Sequence, residues 1–335
     1  MAVRLGTRAS RLALAQSGQT GDKLAAVGGF EVELVHVRTD GDVLTGSLSQ
    51  LGGTGVFVTA LRTALLAGRC DIAVHSLKDL PTGSAAGLSI AAVPKRADPR
   101  DVLCARDSLT LAELPAGARV GTGSPRRAAQ LRAARADLDV VDIRGNVDTR
   151  LGRVPGLPGN STDAVVPGKS CDLDAVVLAA AGLERLGRTD VVSEYLEPSV
   201  MLPAAGQGAL AVECRLADAP RQAGSAQDPG APETALSQAL AALDDADTRL
   251  AVTAERALLA RLEAGCAAPV GAHAFRKGSM LMLHAVVCAP DGTRSLRLER
   301  ATDGLTEVGA TLLGIEVAEE LLAGGVTEFA DLAAS

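Results

Sequence analysis

Aromatic side chains are nearly missing from this chain: 4 Phe, 1 Tyr and no Trp in 335 residues. Cores must therefore be built from Ala, Val and Leu, and a stacking platform for single-stranded nucleic acid has almost nothing to be made from. An excess of positive charge is also lacking. The balance of Lys and Arg against Asp and Glu is 33 − 40 = −7, and an acidic chain has no general electrostatic footprint for DNA or RNA. The six cysteines, at 70, 104, 171, 214, 266 and 288, form no Cys-x-x-Cys pair, and their even number says little in a chain of this length. No positively charged, apolar leader opens the sequence, and no apolar run is long enough to span a bilayer. The expectation is a soluble, reduced, cytoplasmic protein with no nucleic-acid and no membrane partner.

What is present is an apolar fraction of 47%, ample for several cores, and a length that suggests two or three domains. Residues 2–6 read as a strand, and Ser10 is placed to cap the helix that fades at Gly28-Gly29. Strands at 31–37 and 71–76 flank a helix at 56–66. The order β-α-β-α-β argues for a largely parallel sheet. Between them the polar, Gly-rich stretch 38–55 reads as a mobile functional loop. After a strand at 88–93, residues 94–101 look like a crossing segment. A second β-α-β-α run follows from about 100 to about 195. In it Pro125 stands at a first helical position behind Ser124, and 156–170 reads as a surface insertion. Residues 201–208 are a second crossing candidate, leading to a strand at 209–214. A polar linker at 218–232, a helix at 247–262, three strands and a final helix make a small α+β part. The expected division is therefore 1–98 with 200–217, then 99–199, then 218–335.

The stretch Asp71-Ile-Ala-Val-His-Ser-Leu-Lys-Asp-Leu-Pro81 orders the rest. A short buried strand ends on Ser76, Lys78 and Asp79, and open α/β sheets bind ligands outside the carboxyl ends of their strands. Other strand ends and helix starts carry Arg8, Ser10, Arg11, Thr122, Ser124, Arg126, Arg127, Arg144, Asn146 and Arg150, with Arg185 on a short helix. Arginine offers a rigid fork matched to carboxylate or phosphate. The pattern points to a ligand with several anionic groups in a cleft between two α/β domains, with Asp79 as the one carboxylate among cations. Scattered surface arginines and an ordinary ion pair at a strand end would look the same at this level. Cys104, Cys214 and Cys288 lie in apolar strands and read as small buried hydrophobes. Cys266 sits in a loop of small residues, Gly265 to Pro269, with no His beside it to act as a base, which counts against a Cys-His hydrolase.

Five segments carry a resemblance: Val74-His-Ser-Leu-Lys-Asp79, Gly121-Thr-Gly-Ser-Pro-Arg-Arg127, Arg144-Gly-Asn-Val-Asp-Thr-Arg150, Leu202-Pro-Ala-Ala-Gly-Gln-Gly208 and Leu262-Glu-Ala-Gly-Cys266. In this order they resemble the porphobilinogen deaminase (hydroxymethylbilane synthase) family, from about residue 3 to about 325. The resemblance implies two periplasmic-binding-protein-like α/β domains with mixed sheets, plus a small α+β C-terminal domain presenting the cysteine. It implies a thioether from Cys266 to a dipyrromethane cofactor. Four porphobilinogen units are joined to this primer, each losing ammonia, and linear hydroxymethylbilane is released. Ser76, Lys78, Thr122, Ser124, Arg126, Arg127 and Arg150 would then bind the cofactor. Arg8, Ser10, Arg11, Gln16, Arg144, Asn146 and Arg185 would bind the substrate or growing chain. Asp79 would be catalytic, its carboxylate stabilising the cation left when ammonia departs. The resemblance further implies a monomer, and no metal is called for. The chain departs from the family at Thr54, where lysine is common, at Gln50, where some members have lysine, at Pro125, where leucine is usual, and in the 156–170 insertion. A non-catalytic cleft-type binding protein for a polycarboxylate is the alternative, and it would leave Cys266 idle.

Overall fold

A computed structural model describes residues 2–37, 55–157, 171–220, 233–265 and 268–333, with 55–57 given by backbone alone. The chain divides into two compact units, Met1–Ala97 with Ala209–Leu250, and Asp98–Gly208 with Ala251–Ser335. In the first unit β1 (Ala2–Thr7), α1 (Arg11–Gly28), β2 (Glu31–His36), α2 (Gly55–Leu66), β3 (Ile72–Ser76) and β4 (Leu88–Ala92) are joined by a strand that returns late in the chain, β10 (Leu210–Arg215). The sheet order is β2-β1-β3-β10-β4. β1 runs parallel to β2 and β3, and β10 runs antiparallel to both of its neighbours.

The second unit repeats this plan with β5 (Asp101–Ala105), β6 (Arg119–Thr122), α3 (Pro125–Ala134), β7 (Asp139–Asp142), α4 (Val147–Leu151), β8 (Ala175–Ala179), α5 (Ala180–Arg185) and β9 (Glu194–Leu196). Its order is β7-β6-β8-β5-β9, with β5 the antiparallel member. In each sheet the chain leaves one strand towards one edge and comes back on its other side. That makes a topological switch point between β1 and β3, and another between β6 and β8, where the crevice outside the carboxyl ends is open to a ligand. The plan is the expected α/β one with mixed sheets. The single antiparallel strand in each sheet is the one reached through a crossing segment, at 93–100 or 197–209.

The remaining elements are α6 (Ala235–Leu243), α7 (Ala246–Arg261), β11 (Val270–Lys277), β12 (Met280–Cys288), β13 (Ser295–Thr302) and α8 (Glu307–Ala323). The three strands form an antiparallel sheet in sequence order, as expected of the small α+β part. α6 is absent from the sequence-based expectation. Thr234 and Ser237 cap it reciprocally, and Ala239 and Leu240 enter the core under the first sheet. The expected 38–55 loop, except Gly55, lies outside the described residues, as do 158–170 of the insertion, 221–232 of the linker, and Gln50, Thr54 and Cys266.

Local chemistry accounts for the element ends. Ser10 Oγ accepts a hydrogen bond from Ala13 N at 3.3 Å, and α1 stops at Gly29, whose φ of 65° suits glycine. Pro125 does begin α3, but Ser124 makes no side-chain cap bond. In the second sheet, alternate residues enter two separate cores: Leu103, Val120 and Val177 one, Val102, Val176 and Leu178 the other. Strands covered on both faces read as continuous apolar runs, which is why β5 and β8 were legible. The largest fully buried side chains are Leu, Ile and Met, in keeping with the scarcity of rings.

Gly123 lets β6 leave the sheet beside the β7 turn, since a Cβ there would collide with the Ile143 carbonyl oxygen. Gly123→Ala should cost about 2 kcal/mol or more of unfolding free energy, read from a urea transition. An unchanged midpoint would show that the two turns do not approach as closely as described.

Candidate active site

In the first unit the relevant side chains stand at the ends of β1 and β3. Gln16, buried on α1, donates from Nε2 to Ser76 Oγ at 3.1 Å. Beyond Ser76 the chain makes one 3-10 turn, Leu77–Asp79. Leu77 is the anchor: it is 1% exposed, and its N–H donates to the Ala209 carbonyl at 3.1 Å. With that side chain held in the core, Lys78 and Asp79 are left half-buried at the strand end. Arg8 is half-buried after β1, and Arg11 is exposed at the start of α1.

Behind this turn lies a charge cluster that sequence reasoning missed. Glu213, on β10, is 1% exposed. Arg62 on α2 reaches it through Nη2 at 2.9 Å and through Nε at 3.1 Å, and His75 Nε2 lies 3.3 Å away. Burial works to raise the Glu213 pKa, but the close contacts with His75 and the Arg62 guanidinium outweigh it and hold the carboxyl below the usual glutamate value. The available signal was one acid inside the apolar run Leu210-Ala-Val-Glu-Cys214.

In the second unit Arg126 and Arg127, in the first turn of α3, are 4% and 5% exposed. Both bind Asp101, the first residue of β5. Arg126 Nη1 lies 2.8 Å from Asp101 Oδ2, and Arg127 Nη2 lies 2.7 Å from Oδ1. Asp79 is therefore not the one carboxylate among the site cations. Asp101 is wholly buried, and the charges of Arg126 and Arg127 overcome the effect of burial to keep it far below the usual aspartate range. Its signal was an acid immediately ahead of Val-Leu-Cys-Ala, at the end of a stretch taken as a crossing segment.

The other arginines of this unit are less enclosed. Arg150 is half-buried and donates from Nε to the Gly145 carbonyl at 2.8 Å. Burial, then the charges of Arg127 and Arg144, lower its pKa, so three guanidiniums share one neighbourhood. Arg144 is exposed, with Asp142 at 3.5 Å. Arg185 donates from Nη2 to the Gly208 carbonyl at 2.6 Å, and burial lowers its pKa too. Thr122 is buried and accepts from Ser124 N at 3.2 Å. Asn146 caps α4, its Oδ1 accepting from Thr149 N and Thr149 Oγ1, each at 2.9 Å. Burial raises the thiols of Cys104 and Cys214 to about 12 and that of Cys288 to about 11, which keeps them protonated and inert.

A family model described as "Porphobilinogen deaminase, dipyromethane cofactor binding domain" matches residues 3–223. The chain belongs to the porphobilinogen deaminase family. The family's C-terminal domain model matches residues 249–323. The porphobilinogen deaminase of Cutibacterium acnes is 54% identical, over 100% of this chain and 98% of that protein. Those of Micrococcus luteus and Leifsonia xyli subsp. xyli are each 53% identical, over 96% and 99% of this chain and 93% and 95% of their own. Membership of the porphobilinogen deaminase family disfavours the non-catalytic alternative.

The residues present fit the family's dipyrromethane, which carries several carboxylates. Arg127, Arg144 and Arg150 repel one another and would each gain from an anion, and Arg126 Nε is buried with no acceptor among the described residues.

The depressed carboxyls carry a pH signature. A group lowered in the folded state contributes fully above its unfolded pKa, about 4.3 for glutamate, and loses that contribution as pH falls through the folded value. Unfolding free energy should therefore drop as pH falls below about 4, with Asp101 extending the loss to stronger acid. Glu213→Gln should cost about 3 kcal/mol at neutral pH and flatten the upper part of the acid limb in urea titrations. An acid limb superposable on wild type would show that Glu213 is not held ionised by its partners.

Proposed function

We propose that this chain joins four porphobilinogen molecules head to tail on a dipyrromethane held through Cys266, releasing ammonia at each addition and finally the linear hydroxymethylbilane. The observation that carries this reading is the gathering of arginines at the β6 and β7 ends of a protein whose net charge is −7. Each porphobilinogen brings an acetate and a propionate, so the growing chain is a polyanion of the kind such a cluster holds. Family membership across nearly the whole length supports the same reaction.

In this reading Arg126, Arg127, Arg150, Ser124 and Thr122 in the second unit, with Ser76 and Lys78 in the first, hold the cofactor carboxylates. The dipyrromethane, when bound, would supply a nucleophilic pyrrole carbon. Arg8, Ser10, Arg11 and Gln16 in the first unit, and Arg144, Asn146 and Arg185 in the second, receive the substrate and lengthening chain. Asn146 Oδ1 is engaged in its cap, which leaves the amide N–H groups for a carboxylate. Asp79 supplies the negative charge. As ammonia leaves, positive charge develops on the substrate pyrrole, and a carboxylate held at its N–H lowers that barrier and can carry a proton. The 3-10 turn anchored by Leu77 is what would hold Asp79 there. Family resemblance supports the finer points of a cytoplasmic monomer with a three-domain chain, acting without nucleic acid or membrane. Among the described residues no helix is long and apolar enough to cross a membrane.

Two variants test the assignment. Cys266→Ser should purify without the cofactor mass, give no colour with an aldehyde pyrrole reagent, and turn over no porphobilinogen. Wild-type turnover by that variant would end the proposal. Asp79→Asn should keep the adduct but lose about 100-fold or more in kcat. A rate within a few-fold of wild type would remove Asp79 from the chemistry.

A further inference from the structure

Asp101 has no part in the reaction as set out above, yet its surroundings are those of a working group. It is 0% exposed and takes four donors from side chains. Arg126 Nη1 binds Oδ2 at 2.8 Å, while Arg127 Nε at 2.9 Å and Gln207 Nε2 at 2.8 Å bind Oδ1, together with Arg127 Nη2. In the sheet it is paired with Ala179, the last residue of β8, which puts it at the carboxyl end of β8, on the side away from β6.

The arrangement answers a physical difficulty. Two adjacent guanidiniums, both nearly out of water, repel each other and have lost their hydration. One carboxylate between them leaves the trio with a net charge of +1. It also fixes their aim, because each fork is held from a second side: Arg127 Nη1 donates to the Val177 carbonyl at 3.0 Å and Arg126 Nη1 to the Leu202 carbonyl at 2.6 Å. Gln207 ties the carboxylate to the Pro99 carbonyl at 2.7 Å, so Asp101 itself cannot swing away. Arg126 Nε is buried without an acceptor among the described residues.

We infer that Asp101 is an internal counter-anion, a positioning residue that aims Arg126 and Arg127 and sets the single net positive charge they present to a ligand carboxylate. This rests on the reading that the two arginines bind the cofactor. It predicts more than loss of activity. Taking the carboxylate away leaves a hole beside two uncompensated cations, and a small carboxylate from solution should fill it.

The test compares Asp101→Ala with wild type, both purified as the cofactor-bearing enzyme, in sodium formate and in sodium chloride at equal ionic strength. Asp101→Ala should carry the adduct on a smaller fraction of molecules by intact mass. Its kcat per adduct-bearing molecule should be down about 100-fold from misplacement of the arginines, with the KM for porphobilinogen unchanged or lower. Formate should raise both its thermal midpoint and its kcat. In wild type, formate should only compete with substrate. A midpoint and rate indifferent to formate, or wild-type kcat without it, would overturn the inference. Should Asp101→Ala not fold, Asp101→Asn keeps the volume and removes the charge. Its thermal midpoint should then rise more with sulfate than that of wild type, and an equal rise would also overturn the inference. Absence of the adduct from wild type would instead sink the functional reading, so the two failures are distinguishable.

Discussion

Two guanidiniums side by side in a protein interior need a counter-charge, and Asp101 supplies it for Arg126 and Arg127. Much of the second unit is arranged to make that contact possible. β5 enters the sheet antiparallel, so its first residue, rather than its last, lies beside the carboxyl end of β8. α3 begins directly after β6, so its first turn meets that same edge. Gln207 and the Leu202 carbonyl come from the crossing segment that leads back to β10. Three pieces distant in sequence thus converge on one carboxylate. The result is a buried cluster in which both guanidiniums are paired with one carboxylate.

The first unit solves a related problem with a different set of parts. Its parallel strands again bring their carboxyl ends to one edge, where Ser76, Lys78 and Asp79 stand. The buried Leu77 keeps the turn against the sheet, and Gln16 ties Ser76 to α1. Glu213, on the antiparallel strand, gathers Arg62 and His75 behind it. In both units the antiparallel strand carries a buried acid, Asp101 on β5 and Glu213 on β10. Each is a carboxylate that burial alone would neutralise and that neighbouring cations keep charged. The chemistry proposed for the site, many fixed cations with one available carboxylate at Asp79, stands on these hidden charges.

Several features were legible in the residues because they depend on near neighbours. Ser10 before an apolar periodicity, Pro125 at a helix start, and the unbroken apolar runs of β5 and β8 each report a local preference or a two-sided burial. The gathering of arginines at strand ends and helix starts was legible for the same reason. The motifs around Lys78, Arg126, Arg150, Gln207 and Cys266 were sufficient to suggest the family, and the comparisons bear that out. α6 was missed because Ala235–Leu243 is short and directly follows the polar stretch read as a linker. Asp101 and Glu213 were missed because a lone acid near an apolar run says nothing about which cations, 25 or 151 residues away, will turn towards it.

By itself the sequence determined the α/β class, the two crossing segments, an aliphatic core without rings, and which cations lie at strand ends, because periodicity, capping and composition act over a few residues. Only the tertiary structure decided the strand order, the antiparallel placement of β5 and β10, and the partners of the buried charges. Those depend on contacts between distant segments, and in a low-dielectric interior such contacts determine which charges can be buried and remain ionised.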